Sequence, residues 1–269
     1  MMAAIPAARG TARRGLVPGS LLVALLCGGC TFFSSVSTTH QLRQAQDAFS
    51  SAAAIENAAR VQTTAPETTA LGSGSGGYAQ AAEIAGQLRA NNEPDLRRDG
   101  LYCSALTVEA MARWRLGQRD KARTLAASDA ACTGPDAYPR DRTLLLALPG
   151  LVQADDAYAL TRDGVPNYDK VEANALGAIE KLQQAAGAAG PDAPVATYLA
   201  MAQLAVLRTW GDAILSEGLP SDQQDRALKR WEQERDRALT RYKKIACPIG
   251  QKASVDYWSA LLSSTDTCN

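Results

Sequence analysis

Apolar residues recur three and four positions apart along most of this chain, the spacing that gathers them on one side of an α-helix. From about His40 the series Leu42, Ala45, Phe49, Ala52, Ile55 and Ala59 keeps that period, and it fades by Val61. It resumes from Tyr78 to about Asn91, from about Asp95 to Leu116, and from Arg119 to Ala131. Further stretches run from Arg140 to Leu160 and from Tyr168 to Ala186, the latter through Val171, Ala175, Ile179 and Leu182. Val195 to Leu215 is different, because Leu199, Met201, Leu204, Val206, Leu207, Trp210 and Ile214 fall on nearly every side. A helix apolar all round belongs in an interior, so this stretch is the expected central element. Asp222 to Ala246 is amphipathic and long, and a short helix near Gln251 to Ser263 closes the chain. Helix-forming residues dominate and β-branched runs are scarce, so the class is all-α.

The segments between these stretches carry turn and breaker residues. Gln62 to Gly77 is low in complexity and without apolar period, which reads as a flexible linker. Gly72, Gly74 and Gly77 formally satisfy a phosphate-loop spacing, but no strand precedes them as that motif requires. Pro149, inside the Arg140–Leu160 stretch, is expected to kink or split its helix. Ser221 stands where an N-cap for the long eighth helix would be. On that helix, Asp222 with Arg226 and Asp225 with Lys229 are spaced for ion pairing. Arg241, Lys243 and Lys244 fall in its last turns, where positive charge suits the helix dipole.

Within Ala105 to Ala130, Leu106, Ala110 and Trp114 form a first helix face, Gly117 and Asp120 a turn, and Ala122 and Ala126 small packing positions. This segment resembles a degenerate tetratricopeptide hairpin, with Glu109 where a leucine is usual and Arg119 where an aromatic is usual. A general helix-turn-helix pair is the alternative. The resemblance implies antiparallel helix pairs stacked as a tetratricopeptide-like α-solenoid of about eight or nine helices. Cys103 lies fourteen residues before Gly117 and Cys132 fifteen after it. An antiparallel hairpin folded at that glycine brings the two side by side, which predicts a disulfide. Cys247 and Cys268 flank the last short helix and are the expected second pair.

At the amino terminus, Arg9, Arg13 and Arg14 precede the apolar run Leu21–Cys30 of about ten residues, which ends in small residues, and a Ser/Thr-rich stretch starts at Thr31. That order is an export signal, and the run is about half the length of a bilayer span. Gly28-Gly29-Cys30 resembles the lipobox of bacterial lipoproteins, although Cys27 stands where leucine is usual. The resemblance implies cleavage before Cys30 and acylation of Cys30, and two or three acyl chains hold a protein to a membrane effectively for good. An ordinary signal peptide cut near Gly29 and an uncleaved anchor are the competing readings. Asp after the modified cysteine goes with retention at the inner membrane; Thr31 here points to the outer membrane, facing the periplasm. Arg13 and Arg14 also loosely resemble a twin-arginine signal, against the simpler reading of a basic head for general secretion. The expected organisation is therefore a signal peptide over 1–29, a tether over 30–39, an N-terminal helix over 40–61, a linker over 62–77 and a helical-repeat domain over 78–269.

The whole chain is formally neutral, and loss of three arginines with the signal leaves the remainder near −3. That argues against a nucleic-acid partner, which calls for a clustered positive excess. Outside the signal region four cysteines remain, an even number that suits an oxidising compartment. His40 is the only histidine and lies close to Cys30, so no Ser/His/Asp triad, Cys/His pair or usual zinc site is expected in the body. Asp155 and Asp156 are helix neighbours pointing about 100° apart, which suits surface residues better than a glycosidase pair. Peptidoglycan-cleaving lytic transglycosylases use helical superhelices, but their Glu-Ser step has no counterpart: Ser216-Glu217 reverses it. Trp114, Trp210, Trp231 and Trp258 each fall on a different helix, as core residues or as the lining of a ligand cleft.

These readings predict a non-enzymatic, lipid-anchored periplasmic scaffold or assembly factor for an envelope complex, with an envelope protein as partner, the membrane held through Cys30, and no cofactor, metal or nucleic acid. The alternative is a small-molecule-binding lipoprotein associated with a transporter, which requires a closed apolar pocket beside Trp114 or Trp210.

Overall fold

The computed structural model describes residues 37–56, 74–162, 167–188, 193–216 and 218–268, so the expected export signal and Cys30 lie outside the described residues. Among the described residues the chain is all-α, with nine α-helices and one 3-10 turn. The first, α1, covers 37–56. The others are α2 Ser75–Arg98, α3 Tyr102–Arg115, α4 Arg119–Ala126, α5 Pro139–Arg162, α6 Tyr168–Ala188, α7 Ala193–Ser216, α8 Ser221–Ala246 and α9 Lys252–Leu261. The 3-10 turn, Ala130–Thr133, follows α4.

Helices adjacent in sequence pack against each other, and α3, α5 and α7 also touch in series. That arrangement is a stack of helix pairs whose first members line up on one another. α5 packs on α3, α4, the 3-10 turn, α6 and α7, and so occupies the middle of the stack. The sequence pattern pointed instead to α7. Its Leu199, Leu204, Leu207, Trp210 and Ile214 are indeed buried, but Leu215 is 69% exposed and the helix lies one layer further along. Pro149 does not split α5, which continues to Arg162. Leu145, Leu148, Leu151 and Val152 on both sides of the proline are buried, so packing holds the helix through the lost backbone bond.

Several boundaries differ from the periodic reading for local reasons. The stretch expected from Asp95 to Leu116 is divided at Gly100, whose φ of +69° takes the chain out of the helix. The gap expected between Asn91 and Asp95 is instead a kink inside α2, where Asn92 has φ −128° two residues before Pro94. Gly117 terminates α3 as predicted, with φ +72°. Gln118 N donates to Arg113 O at 2.9 Å and Gly117 N to Trp114 O at 2.9 Å, the paired bonds of a Schellman end. The helix after it stops at Ala126 rather than Ala131. Pro220, not Ser221, holds the N-cap position of α8. Asp222 pairs with Arg226 at 3.0 Å. Residues 37–39, read as tether, and 75–77, read as linker, belong to α1 and α2.

Gly74 and Gly77, near the end of the low-complexity stretch, act by being small. A Cβ on Gly74 would lie 2.7 Å from the carbonyl oxygen of Ala52, and one on Gly77 would lie 2.9 Å from Ala52 Cβ. Their missing side chains let α1 approach α2 closely, with Phe49 edge-on to Tyr78 at 5.2 Å between ring centroids.

Candidate functional site

Cys103 and Cys132 lie side by side at disulfide distance, with Cα atoms 5.2 Å apart. Cys247 and Cys268 form a second such pair at 5.7 Å. Around the first pair, Arg97 Nη2 donates to Asp129 Oδ2 at 2.7 Å, and the Arg97 guanidinium lies 3.8 Å over the Tyr102 ring. Asp129 also accepts from Ala131 N at 2.9 Å, which sets the 3-10 turn that carries Cys132. The Arg97 hydrogen bond holds the Asp129 carboxyl below its usual range, against a smaller opposing effect of burial.

Three of the four tryptophans are tied into the packing through their indole N–H. Trp210 is fully buried and donates to Tyr168 Oη at 3.2 Å. Trp114 donates to Asp155 Oδ2 at 2.7 Å, and Trp231 donates to the Leu207 carbonyl at 2.6 Å with its ring against Gly211. Trp258 is partly buried and packs on the same core. Asp155 and Asp156 are both half-buried rather than surface residues. Asp156 is held by Arg119 and Arg123, whereas Asp155 faces Trp114. Burial pushes the Asp155 carboxyl above its usual range, opposed by the Trp114 hydrogen bond and the charges of Arg119 and Arg115.

A buried polar cluster joins α1, α2 and α3. Glu56 is 0% exposed, accepts from Tyr78 Oη at 2.7 Å and is paired with Arg115. The Arg115 guanidinium lies 5.6 Å from the Tyr78 ring and 5.0 Å from the Trp114 ring. Burial raises the Tyr78 phenol above its usual range, reinforced by the bond to Glu56 and opposed by Arg115. Sequence reasoning missed this cluster, because its three members are brought together only by the stacking of three helices.

An open groove of about 610 Å³ lies between α2 and α3 and is a candidate site. Gly86 and Ala90 form its small-residue floor, Glu109 and Arg113 its charged wall, and Gln87 and Gln118 its amide rim. Glu109 is the unusual residue of the tetratricopeptide-like segment, and the structure explains its fit. It is 7% exposed, and its carboxylate lies over Gly86, where a Cβ would sit 3.0 Å from Oε1. Arg89 Nη2 pairs with Oε2 at 2.9 Å, and Arg113 Nη2 lies 3.6 Å from Oε1. Both oxygens thus face guanidinium groups, an arrangement that fixes the carboxylate as a polar wall of the groove. The i,i+4 spacing of Glu109 and Arg113 was legible in sequence, but the approach of Arg89 from α2 was not.

A second depression of about 390 Å³ lies between α1 and α2, lined by Gln41, Gln44, Gln87, Asn91 and Asn92 with Ile84 and Leu88. Both depressions are open to solvent and rimmed by amides. No cluster of three or more potential metal-ligating side chains occurs among the described residues. No described helix is long and apolar enough to cross a membrane. No protein-family model matches the chain, and comparisons with curated proteins and with solved structures return no significant match.

Proposed function

We propose that this chain is a lipid-anchored, periplasm-facing scaffold or assembly factor that holds an envelope protein against its helix stack. The observation that carries the reading is the open, amide-rimmed groove between α2 and α3 on a stack of helix pairs. Such stacks bind partners along extended surfaces, and a groove of this polarity suits a peptide segment whose backbone needs hydrogen-bond partners. Two cysteine pairs at disulfide distance fit a compartment outside the cytoplasm. The lipobox-like Gly28-Gly29-Cys30 supplies the address.

The small-molecule-binding alternative needs an enclosed apolar pocket beside Trp114 or Trp210. Those two indoles are packed and hydrogen-bonded within the core, so the scaffold is the better-supported reading. Glu56 and Glu109 are buried, as a peptidoglycan-cleaving enzyme would need of its acid, but each is engaged with arginine.

The test is affinity capture from detergent-solubilised envelope, comparing wild type with Arg113→Glu. A specific envelope protein enriched by wild type and lost with the groove variant supports the scaffold. Equal recovery by both chains, or none above background, removes the groove as the partner site. Separately, Cys30→Ser should shift the protein from the membrane pellet to the soluble fraction. A variant that still matures and sediments with membranes rules out the anchor.

A further inference from the structure

The helix stack has two ends, and the direction of each helix assigns every loop to one of them. Ser104 Oγ donates to Asp141 Oδ2 at 2.5 Å, which puts the first turns of α3 and α5 together. Arg142 Nη2 donates to the Ala188 carbonyl at 3.0 Å, which adds the last residue of α6 to the same end. Gln41 and Gln44 of α1 share a depression with Asn91 and Asn92 of α2, so α1 also starts there. α8 runs back along α7, with Trp231 bonded to Leu207 and Arg241 to Gln203, so the end of α8 lies beside the start of α7. Cys103 is the second residue of α3 and Cys247 immediately follows α8, so both cysteine pairs sit at this end. The opposite end carries the last turns of α1 and α7 and the first turn of α8.

We infer that the end holding both cysteine pairs faces the bilayer, with phospholipid headgroups as its neighbour, and that the opposite end is presented to the partner. This inference rests on the proposed acylation of Cys30. Only six residues separate Cys30 from residue 37, where α1 is already helical. Seven Cα–Cα steps reach at most about 25 Å even when fully extended. α8, with 26 residues, is about 39 Å long, so the far ends of the helices stand well beyond the tethered end. Exposed apolar side chains do not choose between the ends, since Tyr138 and Ile249 stand at one and Ile55 and Leu215 at the other. Tether length rules out the inverted pose, in which the tethered end would stand a full helix length of about 39 Å above the bilayer. An upright stack places both cysteine pairs at the lipid surface.

The orientation is tested on the full acylated chain in phosphatidylcholine–phosphatidylglycerol vesicles carrying a headgroup-linked quencher. A small fluorescent amino acid is placed at position 138, 249 or 225, the last on the exposed first turns of α8. Quenching should be several-fold stronger at 138 and 249 than at 225. A chain that floats with vesicles but is quenched equally at all three positions, or most at 225, overturns the orientation and leaves the anchor standing. Failure of the wild-type chain to float, or flotation kept by Cys30→Ser, removes the anchor and the orientation with it.

Discussion

Glu56, in the last described turn of α1, is buried against Arg115, the final residue of α3. The pair bolts the N-terminal helix to the rest of the stack, with Tyr78 of α2 donating a third contact. A buried pair adds little net stability as a pair, but removing one member strands the other charge away from water. Arg115→Met is therefore expected to destabilise the protein by about 3–5 kcal/mol. The double variant Glu56→Gln with Arg115→Met should lose less than the sum of the two single losses. Urea unfolding of all four chains measures this, and strict additivity would show that the two residues act independently.

The glycines at the start of α2 make a related prediction. A side chain on Gly77 meets Ala52 Cβ at 2.9 Å and the Ala48 carbonyl at 3.0 Å, so α1 or α2 has to move to admit it. Gly77→Ala gains helix propensity but overpacks this contact, and overpacking typically costs about 1–3 kcal/mol. The change should be local, with faster amide exchange across 37–56 and little change in α5. Unaltered exchange in α1 would mean that the approach of the two helices is not tight.

Much of this architecture was readable from period and punctuation, because an amphipathic helix writes its buried face at fixed spacing. Gly117 and the juxtaposition of Cys103 with Cys132 follow from that logic, since a hairpin folded at a known residue fixes which positions meet. Pro149 does not split its helix because backbone preference is weaker than the burial of the four large side chains around it. Gly74 and Gly77 did mislead. Glycine-rich composition suggests a free chain, whereas here the absent side chains are what permits contact. The groove was hidden because Arg89 and Glu109 lie twenty positions apart on different helices, and no local spacing connects them.

Reduction should expose how much the two cysteine pairs contribute. Their sequence separations are 29 and 21 residues, and loops of that size give roughly 3–4 kcal/mol each in the chain-entropy account. Cys103→Ser with Cys132→Ser should lower the unfolding free energy by an amount of that order, and the unfolding midpoint with it. Because Asp129 and Arg97 hold the 3-10 turn independently of the sulfurs, the native circular-dichroism spectrum should persist below the new midpoint. Unfolding at 25 °C in the absence of denaturant would show that the covalent link, not the surrounding polar contacts, organises this end.

Asp129 and Asp155 should respond to pH with opposite signs. Arg97 holds the Asp129 carboxyl below its unfolded value, so its contribution is present above about pH 4 and is lost as the pH falls through the folded value. Burial holds the Asp155 carboxyl above its unfolded value, so the folded state binds the extra proton. Stability from that group is full below about pH 4 and declines as the pH rises through the folded value. Asp155→Asn keeps an oxygen to accept from Trp114 while removing the buried charge, and should raise the urea midpoint at pH 7. Asp129→Asn should lower it. Both differences should shrink toward zero on acidification, which a set of urea titrations between pH 7 and pH 3 would show. Were Asp155→Asn destabilising at pH 7, the attraction of Arg115 and Arg119 would outweigh the desolvation of the carboxylate, and the ranking of those two effects would be reversed.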